Sequence, residues 1–158
     1  GETAGHLGQS AYLWELYGRA EGDAPHVDLE GERKAGELVR ALKARELITA
    51  AHDLSDGGLG VAAAEMALAA GVGVTVEADG ALSDTAWFFG EDQGRYLLAV
   101  AEGRLEAVLA ASAEAGVPVQ RIGVTGGDAL TLGGGDAISL AELADLHGGW
   151  LPSLMTDA

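Results

Sequence analysis

The sequence contains no cysteine, so disulfide bridges, thiolate nucleophiles and cysteine-ligated zinc sites are all excluded. Aromatic residues make up only 5% of the chain, which therefore gains less buried area per residue than most proteins. Basic residues are also few: 9 Lys and Arg stand against 25 Asp and Glu, and the formal net charge is −16. A surface with this charge repels polyanions, so we expect neither nucleic acid nor an anionic membrane as a partner.

The sequence also lacks a long hydrophobic run. Its most apolar stretch, residues 61–76, is interrupted by Glu65 and Gly71 and is too short to span a bilayer. No signal peptide opens the chain, and position 1 is Gly rather than Met. We therefore expect a cytoplasmic domain of a longer protein, and the length of 158 residues fits one domain over residues 1–158.

What the sequence does contain is glycine, with 25 residues that lie in clusters between periodic apolar segments. The apolar spacing predicts helices at residues 8–18, 28–45, 57–70, 105–115 and from Ser139 to about His147. Short apolar or β-branched runs predict strands at residues 48–54, 72–77, 95–101, 117–124, 129–132 and 137–140. These elements indicate an α/β or α+β fold, with helices covering a mixed β-sheet of roughly four to six strands.

The densest chemical signal is a glycine-containing turn at residues 51–60, between a predicted strand and a predicted helix. Free N–H groups and the positive end of a helix dipole make such a turn an anion site, and phosphate is the expected anion. Carboxylates next to a phosphate repel it unless Mg²⁺ lies between them, so Asp53 and Asp56 are candidate metal ligands. The predicted phosphate or nucleotide contacts are Asp53, Ser55, Asp56, Gly57 and Gly58.

Two other interpretations of this turn stay open. In the first, Asp56 only caps the helix and Gly57 and Gly58 only make the turn. In the second, residues 58–63 match the G-x-G-x-x-A form of the dinucleotide fingerprint, with Glu77 as the ribose-binding acid. The second interpretation has the difficulty that Asp53 and Asp56 would crowd a pyrophosphate. His52 lies within a predicted strand, where a structural role is the commoner one.

A second polar loop, residues 90–95, precedes the third predicted strand. It is either a solvated turn or part of a cleft that faces the glycine turn. In the cleft interpretation, Gln93 and Arg95 donate hydrogen bonds to a substrate and Glu91 accepts one.

Taken together, these motifs resemble the second C-terminal domain of phosphoribosylformylglycinamidine synthases. The similar segments are AHDLSDGGL at residues 51–59, AEMA at 64–67 and FGEDQGRY at 89–96. The opening LGQSAYL at residues 7–13 and HGGWLP at 147–152 are similar as well. The resemblance therefore extends over essentially the whole chain.

The resemblance implies an enzyme that converts formylglycinamide ribonucleotide to its amidine in purine biosynthesis, using Mg²⁺, ATP and ammonia from glutamine. It implies an AIR synthase C-terminal-like fold and the last of four domains, packed on N-terminal-type domains of the same chain. Glutaminase and small accessory subunits are the implied partners. Because the catalytic His belongs to another domain, this one is expected to be inactive alone and to hold at most an auxiliary nucleotide. The resemblance also implies that residues 91–93, Glu-Asp-Gln, correspond to a substrate-binding Glu-Ser-Gln in the first C-terminal domain of the family, so that Asp92 replaces the Ser.

Two alternatives to this function remain. One is an interaction module that binds no ligand, and the other is a dinucleotide-binding domain.

Overall fold

The computed structural model describes residues 1–156 and contains six α-helices and six β-strands there. The helices are α1 (Ala11–Tyr17), α2 (Leu29–Ala44), α3 (Gly58–Ala70), α4 (Asp84–Phe89), α5 (Leu105–Ala115) and α6 (Leu140–Thr156). The strands are β1 (Ala50–Asp53), β2 (Val74–Val76), β3 (Tyr96–Ala99), β4 (Gly123–Thr125), β5 (Ala129–Leu132) and β6 (Ile138–Ser139). Within the described part of the chain, no helix is long and apolar enough to cross a membrane.

The chain divides into two compact units. The first comprises Gly1–Ala62 and Gly80–Arg121, and the second comprises Ala63–Asp79 and the chain from Ile122 onward. All residues predicted for the glycine turn and for the second polar loop belong to the first unit.

In the first unit, β1 and β3 form a two-stranded antiparallel sheet, in which Ala50 pairs with Ala99 and Asp53 with Tyr96. Because the strands are antiparallel, the turn after β1 lies next to the loop before β3. The hydrophobic core consists of residues from α2, α5 and the segments that follow them: Ala35, Leu38, Leu42, Leu47, Ile48, Val108, Ala111 and Val117.

Helix α2 illustrates how the sequence forms this unit. Asp28 caps the helix, since its Oδ1 accepts the N–H groups of Glu30 and Gly31 at 3.1 Å each. Leu38 and Leu42 lie one turn apart and are both buried, Leu42 completely. The apolar side of the helix thus faces the core, and its charged side faces water.

The second unit contains a four-stranded mixed sheet in the order β4-β2-β5-β6. Strands β2 and β5 are parallel, whereas β4 and β6 are antiparallel edge strands. Val76 and Leu130, on the two central strands, are buried. Helix α6 begins directly after β6, and Ser139 Oγ accepts the N–H of Glu142 at 3.1 Å, which confirms the predicted helix start.

The predicted class, helices with a mixed sheet, is confirmed, but the six strands divide between two sheets. Helix α4 was not predicted; its buried Trp87 and Phe88 offer only one turn of periodicity, too little to identify a helix. The predicted strand at residues 117–124 is mostly wrong, since only residues 123 and 124 lie in a strand, which extends to Thr125. Helix α6 continues past His147 because Gly148 and Gly149 keep helical backbone angles instead of ending it.

Candidate functional site

The glycine turn joins β1 to α3 and presents its polar side chains to solvent. Gly57 and Gly58 have φ angles of +80° and +63°, which side chains rarely tolerate, and Gly58 N–H donates to the Ser55 carbonyl at 3.0 Å. Asp53, Ser55 and Asp56 are all exposed. The backbone is therefore tightly folded while the predicted ligand-binding side chains remain accessible.

The end of α4 packs closely against this turn. A Cβ atom on Gly58 would lie 2.6 Å from the carbonyl oxygen of Gly90 and 3.0 Å from that of Phe88. Glycine is thus required at position 58 for the close approach as well as for its backbone angle. The second polar loop begins at this point of contact.

Glu91 connects the second polar loop to the glycine turn. Its Oε1 accepts the N–H of Gly57 at 2.7 Å and the N–H of Ala11, at the start of α1, at 2.8 Å. The backbone N–H of Glu91 donates to the carbonyl of His6 at 2.9 Å. The structure therefore brings the two predicted motifs together. The N–H of Gly57, a donor of the predicted anion site, is bound by a carboxylate of the chain itself.

Asp92 binds the N-terminal segment. Its carboxylate accepts the Thr3 hydroxyl at 2.6 Å and the N–H groups of Ala4, Gly5 and His6 at 3.1 to 3.2 Å. Partial burial raises the pKa of Asp92, but the hydrogen bonds from Thr3, His6 and Ala4 and the charge of Arg95 outweigh it, so the pKa is lower than the ordinary value of 3.8. The carboxylate is consequently held in its charged form.

Arg95 and Gln93, the other two residues of this loop predicted to contact a substrate, differ in their exposure to solvent. Arg95 is only 6% exposed, and its Nη1 donates to the Gly90 carbonyl at 3.2 Å. Burial lowers the pKa of Arg95, and the charge of Asp92 partly offsets this effect. Gln93 is exposed. Of the three predicted substrate contacts, Glu91 and Arg95 are thus engaged within the chain, and Gln93 faces solvent.

The carboxylates of Asp53 and Asp56 fit the chemistry of Mg²⁺, which binds through one or two carboxylates together with phosphate oxygens and water. Both side chains are exposed and lie on one short turn. In residues 1–156 no group of three or more His, Asp or Glu side chains could hold a metal by itself. His52 is half-buried, and its Nδ1 lies 2.6 Å from the carbonyl oxygen of Asp53, as expected for a structural histidine.

The dinucleotide alternative does not fit the sheet topology. A dinucleotide fingerprint needs the strands on either side of its helix to be neighbours in one parallel sheet. Among residues 1–156, β1 pairs only with β3 in one sheet, whereas β2 lies between β4 and β5 in the other. Residues 58–63 are therefore not part of a dinucleotide-binding unit.

The sequence did not identify Thr3, Ala4, Gly5 and His6 as part of this region. They lie 86 to 89 residues from Asp92, and no motif links the two segments. The one feature of the sequence that points to this segment is the glycine at position 5. Its φ angle of +72° lets consecutive N–H groups point toward one acceptor.

Comparison with known families supports the resemblance. The model of the family described as AIR synthase related protein, C-terminal domain, matches residues 3–147. Proteins called phosphoribosylformylglycinamidine synthase subunit PurL are similar: that of Cereibacter sphaeroides is 57% identical over 93% of this chain. The protein of Methylocella silvestris is 51% identical over 100% of it. The chain spans about a fifth of the length of these curated relatives, 19% and 22%.

Solved structures of Thermotoga maritima PurL have the same fold. The complex with FGAR has a TM-score of 0.70 over 88% of this chain and 26% of its own, at 13% identity. The complex with ATP has a TM-score of 0.62 over 71% and 21%, at 14% identity. A structure of PurLQS has a TM-score of 0.64 over 88% and 24%, at 14% identity.

Proposed function

The chain belongs to the family of AIR synthase related protein C-terminal domains, and from this we propose that residues 1–158 form one domain of a longer phosphoribosylformylglycinamidine synthase. The observation that carries the proposal is identity of about half to curated relatives of that name, over nearly the whole chain. The longer enzyme would convert formylglycinamide ribonucleotide to its amidine in cytoplasmic purine biosynthesis. The domain alone would be inactive.

Growth complementation tests this function. The longer reading frame that includes this chain, expressed in a bacterium lacking the synthase, should restore growth without purines. The 158-residue chain alone should not restore it. Failure of a soluble, full-length product to restore growth would contradict the proposal, as would rescue by the 158 residues alone.

We further propose that the glycine turn contacts a Mg²⁺-bound nucleotide through Asp53, Ser55 and Asp56, with Gly57 and Gly58 shaping the turn. The exposure of these three side chains supports the proposal, as does the complex of T. maritima PurL with ATP. Mg²⁺ would neutralise the repulsion between the two carboxylates and the phosphates. Gln93 is the residue of the second loop with an exposed side chain that could contact the same ligand.

Titration of Mg-ADP into the longer chain tests the nucleotide contact. Asp53→Ala and Asp56→Ala should each weaken binding about tenfold or more, because each removes a charge-assisted contact worth about 1.5–3 kcal/mol. Asp136→Ala, at an exposed position of the second unit, is the matched control and should bind normally. Unchanged affinity in both turn variants would exclude the turn as a nucleotide contact.

The proposed partners are the remaining domains of the same chain and the glutaminase and small accessory subunits. The T. maritima PurLQS structure supports such an assembly. Exposed apolar side chains on α1 support a contact with another domain: Trp14, Leu16 and Tyr17 are 59%, 64% and 59% exposed.

An interaction module without a ligand is the second candidate. The observation that favours it is the hydrogen bond from Gly57 N–H to Glu91, because it uses a donor that a phosphate would need. The Mg-ADP titration separates the two candidates, because an interaction module without a ligand would give no heat of nucleotide binding at the glycine turn.

A further inference from the structure

Asp92 is surrounded by donors that resemble an anion-binding site more than an ordinary loop contact. The Thr3 hydroxyl and the three successive N–H groups of Ala4, Gly5 and His6 converge on its carboxylate. We call these four groups the anion cradle. Consecutive backbone N–H groups that point into one concavity are a common binding arrangement for phosphate and other anions.

The surroundings of the anion cradle also favour negative charge. Partial burial of Asp92 raises its pKa, but the hydrogen bonds from the cradle and the charge of the buried Arg95 guanidinium outweigh it and leave the pKa lowered. Asp92 lies in the middle of the loop, between Glu91 and Gln93, and is tethered next to the cradle by the folded chain. A tethered group has a much higher effective concentration than a free ligand at ordinary concentration.

We propose that the anion cradle is an oxyanion-binding site that the chain fills with its own Asp92, which therefore acts as a tethered competitor of free phosphate and phosphate esters. The proposal does not depend on the proposed function of the longer chain. It states that the donors are suited to a tetrahedral oxyanion and that Asp92 excludes it. Glu91 accepts Gly57 N–H in a parallel way, so two neighbouring carboxylates occupy backbone donors on different segments.

Removal of the competing carboxylate tests the proposal. Inorganic phosphate is titrated into the ¹⁵N-labelled Asp92→Ala variant of the 158-residue chain, at constant ionic strength with chloride as the balancing anion. The amide resonances of Ala4, Gly5 and His6 should shift and saturate. The apparent affinity should be at least about tenfold higher than in the wild type, because the tethered competitor is gone. Asp136→Ala is the matched control and should behave as the wild type.

Two results would overturn the proposal. One is an absence of phosphate-dependent shifts at these three amides in Asp92→Ala, and the other is equal affinity in the variant and the wild type. If Asp92→Ala is unfolded in chloride, its far-ultraviolet circular dichroism is compared in phosphate and chloride at equal ionic strength. Because concentrated phosphate stabilises folded proteins generally, the phosphate concentration is varied: recovery of the folded spectrum that saturates at low phosphate supports an oxyanion site. No recovery, equal recovery in both salts, or recovery that rises without saturating overturns it.

Discussion

Glu91 and Asp92 are adjacent in sequence, yet each holds a different part of the first unit. Glu91 links the glycine turn to the start of α1, and Asp92 binds residues 3–6. Both carboxylates accept backbone N–H groups, which are strong donors to an ionised acceptor. The loop that the sequence offered as a substrate contact is therefore also a structural connection between distant segments.

Replacing Asp92 with Asn should give a pH-dependent loss of stability. The folded-state pKa of Asp92 is lower than its ordinary value of 3.8, so its charged form stabilises the fold above that pH and the contribution disappears as the pH falls through the folded-state pKa. The wild type should exceed Asp92→Asn in unfolding free energy at neutral pH. The difference should narrow as the pH falls below about 5 and through the folded-state pKa of Asp92.

Urea unfolding followed by circular dichroism at a series of pH values measures this difference. Asp136→Asn provides the control, because the Asp136 side chain is exposed to solvent. A difference between wild type and Asp92→Asn that stays constant with pH would show that the ionised carboxylate is not the source of the stability.

At the level of secondary structure, the sequence predicted the elements whose signals are local. Helix α2 follows from its Asp28 cap and from Leu38 and Leu42 one turn apart. The division of the strands between two sheets was not predictable in this way, because β2 pairs with β4 and β5, strands that lie about fifty residues further along the chain. Helix α4 was missed because it spans only 6 residues.

Removing the cap of α2 should destabilise the first unit. Asp28→Ala leaves the N–H groups of Glu30 and Gly31 without their acceptor and should reduce the free energy of unfolding by about 1 kcal/mol. Chemical denaturation measures the loss, with Asp23→Ala in the exposed preceding linker as the control. A loss in Asp28→Ala no larger than in Asp23→Ala would show that the cap does not stabilise the helix.

For the whole molecule, the function is predicted from the family resemblance and not from composition or from any single motif. Composition and charge only excluded classes of partner, and the glycine turn alone allowed three interpretations. The sheet topology removes the dinucleotide interpretation, and the family match over residues 3–147 confirms the family. The contacts of Asp92 could not be predicted, since 86 to 89 residues separate it from its donors.

The proposal that these residues are one domain of a phosphoribosylformylglycinamidine synthase is tested by assaying the purified longer chain. The assay follows ATP-dependent conversion of formylglycinamide ribonucleotide to the amidine in the presence of the glutaminase and accessory subunits. We expect turnover by the assembly and none by the 158-residue chain alone. An intact, correctly assembled protein that hydrolyses no ATP and forms no amidine would contradict it.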